Sequence, residues 1–243
     1  MAENLMVEVT GLSVSYWQQK KEIPALKEVS FAIPAASTCA LLGPSGCGKS
    51  TLLYVLAGLH DDYQGTVAVH GDPTLILQDY GLLPWKTVFD NVQLGLEIRG
   101  VSGEERADKV EQVLSEMGLW EMRHRYPSQL SGGQRQRVGI ARSLALEPNL
   151  LLMDEPFSAL DAITREKMQR QMLDIWQSRG ITIILVTHSI EEAVFLGQKI
   201  IVLTGQPGQV LDIVDNPQVG KPGYRKTTQF HQLTSTLREK LIP

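Results

Sequence analysis

Cysteine, long apolar runs and surplus positive charge are all scarce in this chain. Its two cysteines, Cys39 and Cys47, fall in no metal-spaced or redox pair, which excludes a disulfide framework and fits a reducing compartment. The most apolar runs, such as ITIILV at 181–186, are far shorter than the roughly 20 residues a membrane helix needs, so no bilayer crossing is expected. The opening MAENLMVEVTG has neither a basic n-region nor an apolar h-region, and no secretory leader is expected from it. Lys and Arg number 23 against 27 Asp and Glu, a net charge of -4, so no broad basic face is available for wrapping nucleic acid.

What the chain does have is an ordinary globular composition. With 243 residues, 43% of them hydrophobic, it can bury a sizeable core as one large domain or two small ones. LMVEVTGLSVSY and ALKEVSFAIP read as strands around the polar tip QQKKE, predicting a small antiparallel sheet. TCALL at 38–42 is a short strand, and STLLYVLAGL after the intervening glycines has helical spacing. TVAVHG at 66–71 and TLILQ at 74–78 read as two further strands split by the turn residues Asp72-Pro73. From 86 to about 146 the pattern is helical, with Ser102 and Glu105 at capping-box spacing and Gly118 placed to end a helix. NLLLMDE at 149–155 and ITIILVTH at 181–188 are strands either side of a helix, a βαβ crossover that implies a parallel sheet. IIVLTGQPGQVLDIV suggests a closing hairpin, and residues 216–243 a short tail ending in one helix.

Three stretches point to chemistry. GPSGCGKST at 43–51 fits G-x-x-x-x-G-K-[ST] and lies between a strand and a helix, as a phosphate loop must. The loop Gly43, Pro44, Ser45, Gly46, Cys47, Gly48, Lys49, Ser50 and Thr51 would bind the nucleotide, with backbone N–H groups from Ser45 to Ser50 surrounding the β-phosphate. Lys49 would reach the β and γ oxygens, and Ser50 would ligate Mg²⁺. Cys47 simply fills a variable position. LLLMDE ends an apolar strand in two carboxylates: Asp154 is placed to hold Mg²⁺, and Glu155, facing the other way, to polarise water. Such a pair alone is no more than two solvated acids, and it gains meaning only beside the phosphate loop.

The third stretch, LSGGQ at 130–134, is a second glycine turn without a lysine. Ser131 and Gln134 have N-cap and N3 spacing, so Ser131, Gly132, Gly133 and Gln134 would open a helix whose N–H groups face an anion. Gln78 and His188 each follow an apolar run and mean little alone.

In that order, GPSGCGKST, Gln78, LSGGQ, LLLMDEP, SALD at 158–161 and His188 resemble the nucleotide-binding subunit of an ABC transporter, over about residues 5–215. The resemblance implies an α/β P-loop NTPase core (1–85 and 147–215) with an antiparallel β subdomain, an inserted helical subdomain (about 86–146) and a tail (216–243). It implies ATP and Mg²⁺, with Tyr16 stacking on adenine beside its rival Trp17, Gln78 reaching Mg²⁺ and water, and Glu155 as general base. His188 would contact the γ-phosphate, and Ser158 to Asp161 would touch a facing subunit.

The resemblance also answers why a second glycine turn exists. In the family two such domains pair head to tail, the LSGGQ of one closing on ATP held by the other, so a second copy of this chain is expected. Transmembrane permease subunits are expected as partners, indirectly a solute-binding protein, and a peripheral position on the cytoplasmic side of the membrane. Leu82, Leu83, Pro84 and Trp85 stand where the family receives a permease helix, or else belong to the core of the helical region. LLPW with TVFDNV, and THSIEEAVFLGQKIIVL, are most similar to importers of nitrate, sulfonates and taurine, with pyrimidine-type vitamin precursors as an alternative solute. A soluble relative acting on nucleic acid or ribosomes would carry a long coiled-coil insertion or two fused domains, and this chain has neither. The short run from Gly71 to Gln78 leaves the strand before Gln78 open to question.

Overall fold

A computed structural model describes residues 4–241. Residues 5–34 form one long hairpin, β1 (Leu5–Gln18) and β2 (Lys21–Pro34). Gln19 and Lys20 turn it at φ 49° and 64°, the left-handed pair whose twist matches that of the flanking strands. There follow β3 (Thr38–Leu42), α1 (Lys49–Leu56), β4 (Gln64–Val69) and β5 (Pro73–Ile76). Three helices come next, α2 (Val88–Ile98), α3 (Gly103–Glu116) and α4 (Gly132–Leu144). The chain then returns to β6 (Leu150–Asp154), α5 (Ala162–Arg179), β7 (Thr182–Thr187) and α6 (Ile190–Leu196). It finishes with β8 (Lys199–Leu203), β9 (Val210–Asp215) and α7 (Thr228–Leu241).

Two sheets result. The antiparallel one has order β2-β1-β4, and the main one has order β5-β6-β7-β3-β8-β9, parallel except for the β8–β9 hairpin. The central strands are buried on both faces, which explains their near-continuous apolar sequences. Their side chains still alternate between two cores. Leu41, Leu150, Leu152, Ile184 and Val186 face α1 and the antiparallel sheet, whereas Ala40, Leu42, Leu151, Met153 and Leu185 face the helices. Phosphate loop, Asp154 and Thr187 all lie at the C-terminal ends of adjacent parallel strands, where open α/β sheets bind ligands.

Three expectations have different outcomes. The strand before Gln78 does form, as β5 paired in parallel with β6 from Pro73↔Leu150 to Ile76↔Met153, despite the short connection. The Ser102 capping box is only half made: Ser102 Oγ accepts from the Glu105 amide at 3.4 Å, while the Glu105 carboxylate turns to Lys109, 3.4 Å away. The tail ends in one helix as expected, and Val219, Tyr224, Phe230 and Leu237 bury it in the helical-side core. Asn216 fastens its start, its side-chain amide donating to the Val194 and Gly197 carbonyls and its oxygen accepting from the Tyr224 hydroxyl.

Candidate functional site

Strand β3 runs into Gly43, and the chain wraps round before α1 begins at Lys49. Gly46 and Gly48 adopt φ 80° and 87°, a region costly for residues with a Cβ. At Gly48 a Cβ would also sit 2.7 Å from the Ala25 carbonyl oxygen. No side chain caps α1, so its first amides and the positive end of its dipole face outward, the arrangement that binds phosphate.

Lys49 is 5% exposed and its ammonium donates to the Gly43 and Pro44 carbonyls, both at 2.8 Å. The Cys47 side chain is fully buried in the core on the other side of the loop, and burial pushes its thiol above the ordinary range. Only the backbone of Cys47 therefore remains available to a ligand, not the thiol.

An open cleft of about 320 Å³ is lined by Tyr16, Ala25, Ser45, Gly46, Gly48, Lys49, Ser50, Thr51, Glu155 and Gln206. Tyr16 donates from its hydroxyl to Thr51 Oγ1 at 3.1 Å, and its ring meets that of His60 at 5.4 Å. Its rival Trp17 points away, 71% exposed, and does not line this cleft.

Asp154, at the end of β6, is buried, and its carboxyl shares a hydrogen bond with Ser50. Desolvation holds that carboxyl above the usual range, with the charge of Glu155 adding to the effect, while Ser50 and Lys49 pull it back. Two hard oxygen donors thus stand side by side at the root of the loop, a donor set that suits Mg²⁺ and not a soft metal.

Glu155 sits at φ 44° with its amide donating to the Val186 carbonyl of β7. That turn brings its carboxylate into the cleft and within 3.2 Å of His188 Nδ1. Parallel pairing of β6 with β7 is therefore what unites two residues 33 positions apart.

The remaining residues lie elsewhere. Gln78 is exposed in the turn after β5 and does not line the cleft. Ser131 Oγ accepts from the Gln134 amide at 3.3 Å and Gln134 Oε1 accepts from the Ser131 amide at 2.9 Å, a full capping box at the start of α4. Gly132 has open space beside it, while a Cβ on Gly133 would stand 2.9 Å from Thr164 Cγ2. None of these four residues lines the cleft. Asp161 caps α5, accepting from the Ile163 and Thr164 amides at 3.1 and 3.0 Å, which pull its carboxyl below the usual range. Leu82 packs against the helical-side core, so it is partly core, whereas Trp85 beside it is 71% exposed.

Gln206 in the β8–β9 turn was not picked out by sequence pattern. QPGQ announces a turn and nothing more, and only the fold carries that turn to the cleft. The bonds among Thr187, Glu192, Gln169 and Arg225 are equally invisible in sequence.

Residues 26–158 match the family described as ABC transporter. The chain is 45% identical over 215 residues to the taurine import ATP-binding protein TauB of Yersinia pestis bv. Antiqua, covering 85% of this chain and 83% of that protein. It is 44% identical over 209 residues to TauB of Pseudomonas aeruginosa, covering 83% and 80%. Among solved structures, the ATP-binding cassette MJ0796, in a dimeric post-hydrolysis state with ADP and Pi, superposes at a TM-score of 0.78 with 32% identity, covering 86% of this chain and 98% of that one. Cassette cbiO1 from Clostridium perfringens, part of the ABC transporter complex cbiONQ, superposes at 0.78 with 25% identity, covering 89% and 90%.

Proposed function

This chain belongs to the ABC transporter family, and on that premise we propose that it is the ATP-hydrolysing subunit of an importer for taurine or a similar small solute such as a sulfonate or nitrate. The observation that carries the reading is the single cleft in which Tyr16, the phosphate loop and Glu155 meet. The TauB relatives, named for taurine import, support the choice of solute.

ATP would lie with adenine on the Tyr16 ring, and its phosphates on the amides of residues 45–50 and the Lys49 ammonium. Ser50 and Asp154, which share a hydrogen bond, would hold Mg²⁺, which would neutralise phosphate charge; Gln78, outside the cleft, would reach the ion only by a movement of its turn. Glu155 takes a proton from the attacking water as its oxygen bonds to the γ-phosphorus and the bond to ADP breaks. His188, in contact with Glu155, orients that base and faces the γ-phosphate.

LSGGQ cannot serve its own cleft, since Ser131 to Gln134 do not line it. Its capped helix start would face ATP bound by a second copy, giving two shared sites under C₂ symmetry; Ser158 to Asp161 would lie along the same interface. The dimeric state of the MJ0796 cassette supports this pairing. Among the described residues no helix is long and apolar enough to cross a membrane. Likeness to the import ATP-binding relatives supports peripheral attachment on the cytoplasmic face, with exposed Trp85 available to a permease.

The test uses Glu155→Gln, which should sediment as a dimer in Mg-ATP and as a monomer without it. The trapped protein should retain an integral membrane permease from solubilised native membranes. Reconstituted with its binding protein, that complex should hydrolyse ATP faster with taurine. Stimulation by nitrate alone would move the solute, and recovery of ribosomal proteins would overturn the transport reading.

A further inference from the structure

The turn that holds His188 is tied to the C-terminal segment by a buried chain of polar side chains. Thr187 and Ser189 flank the histidine, and the Ser189 amide donates to Thr187 Oγ1 at 3.0 Å. The same Thr187 hydroxyl bonds the Glu192 carboxylate, and the Glu192 amide donates to Ser189 Oγ at 3.3 Å. Glu192 therefore clasps both neighbours of His188. Its carboxylate is in turn held by Gln169 Nε2 of α5 at 2.8 Å. Arg225, in the segment before α7, donates to Gln169 Oε1 at 2.5 Å.

Thr187, Gln169 and Glu192 are 2%, 2% and 5% exposed, so water cannot readily replace a lost link. The direction of the Gln169 amide is chemically forced. A guanidinium only donates, so Oε1 must face Arg225, which leaves the NH₂ group to face Glu192. The acceptor-only carboxylate enforces the same direction, so removing Arg225 does not turn the amide round; it strips Oε1 of its buried donor and with it the pull that seats Gln169 against Glu192. Arg225 is itself fixed by Glu166 at 3.1 Å and by the face of Phe195 at 4.0 Å, which binds its position to the packing of the tail.

From this geometry we infer that Arg225 is a positioning residue for hydrolysis, acting through Gln169 and Glu192 to hold His188 against Glu155. The inference rests on His188 and Glu155 being parts of the hydrolytic machinery. Arg225 touches neither cleft nor substrate, so its removal should lower turnover and leave ATP binding alone.

The experiment is steady-state ATPase on the full chain for Arg225→Ala, His188→Ala and the double variant, with unfolding midpoints measured alongside. Expected are a fall in kcat of about tenfold for Arg225→Ala, an unchanged KM, and no further loss when it is added to His188→Ala, because residues acting as one unit are not additive. Should the alanine variant fold poorly, Gln169→Glu keeps an acceptor for Arg225 but opposes Glu192 with a second carboxylate, and it should show the same kcat loss at parental KM. Parental kcat in a folded Arg225→Ala or Gln169→Glu, or a loss that multiplies undiminished onto His188→Ala, overturns the inference. Full turnover in His188→Ala alone would instead sink the role given to the histidine.

Discussion

His188 Nδ1 lies 3.2 Å from Glu155 Oε1, although the two belong to the ends of different strands. Glu155 keeps only 21% of its side-chain surface exposed and His188 57%. The carboxylate is thus sheltered at the cleft wall while the imidazole covers it from outside. A base held in this way can be tested without disturbing the loop that binds phosphate.

Glu155→Gln keeps the volume and the contact with His188 but not the basicity. Turnover should fall by about 10²–10⁴, the usual worth of general base catalysis, with ATP affinity unchanged. Phosphate release in single turnover, paired with equilibrium nucleotide binding, measures both; turnover within a few-fold of the parent removes Glu155 from the base role.

Lys49 offers a cation at the root of the loop, where its ammonium reaches two carbonyls at 2.8 Å. Replacing it with alanine removes a charged hydrogen bond worth about 1.5–3 kcal/mol, so ATP should bind roughly 10- to 100-fold more weakly. Calorimetric titration decides it, and parental affinity would place the phosphates elsewhere.

Ser131→Ala breaks half of the capping box at the start of α4, at a cost of about 1 kcal/mol. Because Ser131 does not line the cleft of its own chain, ATP binding to the monomer should survive while ATPase activity drops. The activity should recover in part as protein concentration rises, since the defect lies in pairing. Equal losses in monomer binding and in activity would contradict a shared site.

The Glu192 carboxyl is held above its usual 4.5, chiefly by burial; hydrogen bonds from Thr187 and Gln169 and the charges of Arg165 and His188 oppose that rise. Arg225 stands behind Gln169. A raised folded-state value means that the native protein binds this proton more tightly than the unfolded chain does. The resulting stability is complete below pH about 4.5 and disappears as pH rises through the raised value. Glu192→Gln cannot titrate, so its stability relative to the parent should improve as pH rises from about 4.5 through the raised value. Denaturant midpoints across that range test the sign, and a constant difference would show that Glu192 titrates normally.

Where neighbours in sequence make the structure, the residues alone were enough. TCALL became β3 without a residue's error, and Ser131 with Gln134 predicted its own hydrogen bonds. Ser102 with Glu105 has the same spacing yet makes only one of the two, because Lys109 competes for the glutamate. Local spacing states which bonds are possible, not which partner prevails. The cleft itself joins β1, the loop after β3, the end of β6 and the β8–β9 turn, and only sheet order brings these together. The tail's single helix was legible, but its sparse apolar residues did not show that Phe230 and Leu237 would be buried.

Strand β3, which feeds the phosphate loop, is hydrogen-bonded to β7 and β8, Thr38 to Ile183 and Cys39 to Lys199. During synthesis this strand emerges early and has neither of its partners until most of the chain has been made. Its apolar edges stay unpaired over that interval, and contacts so distant in sequence close slowly. An unpaired apolar strand is exposed to aggregation over that interval, and the loop it feeds lacks its strand support until β7 and β8 are in place.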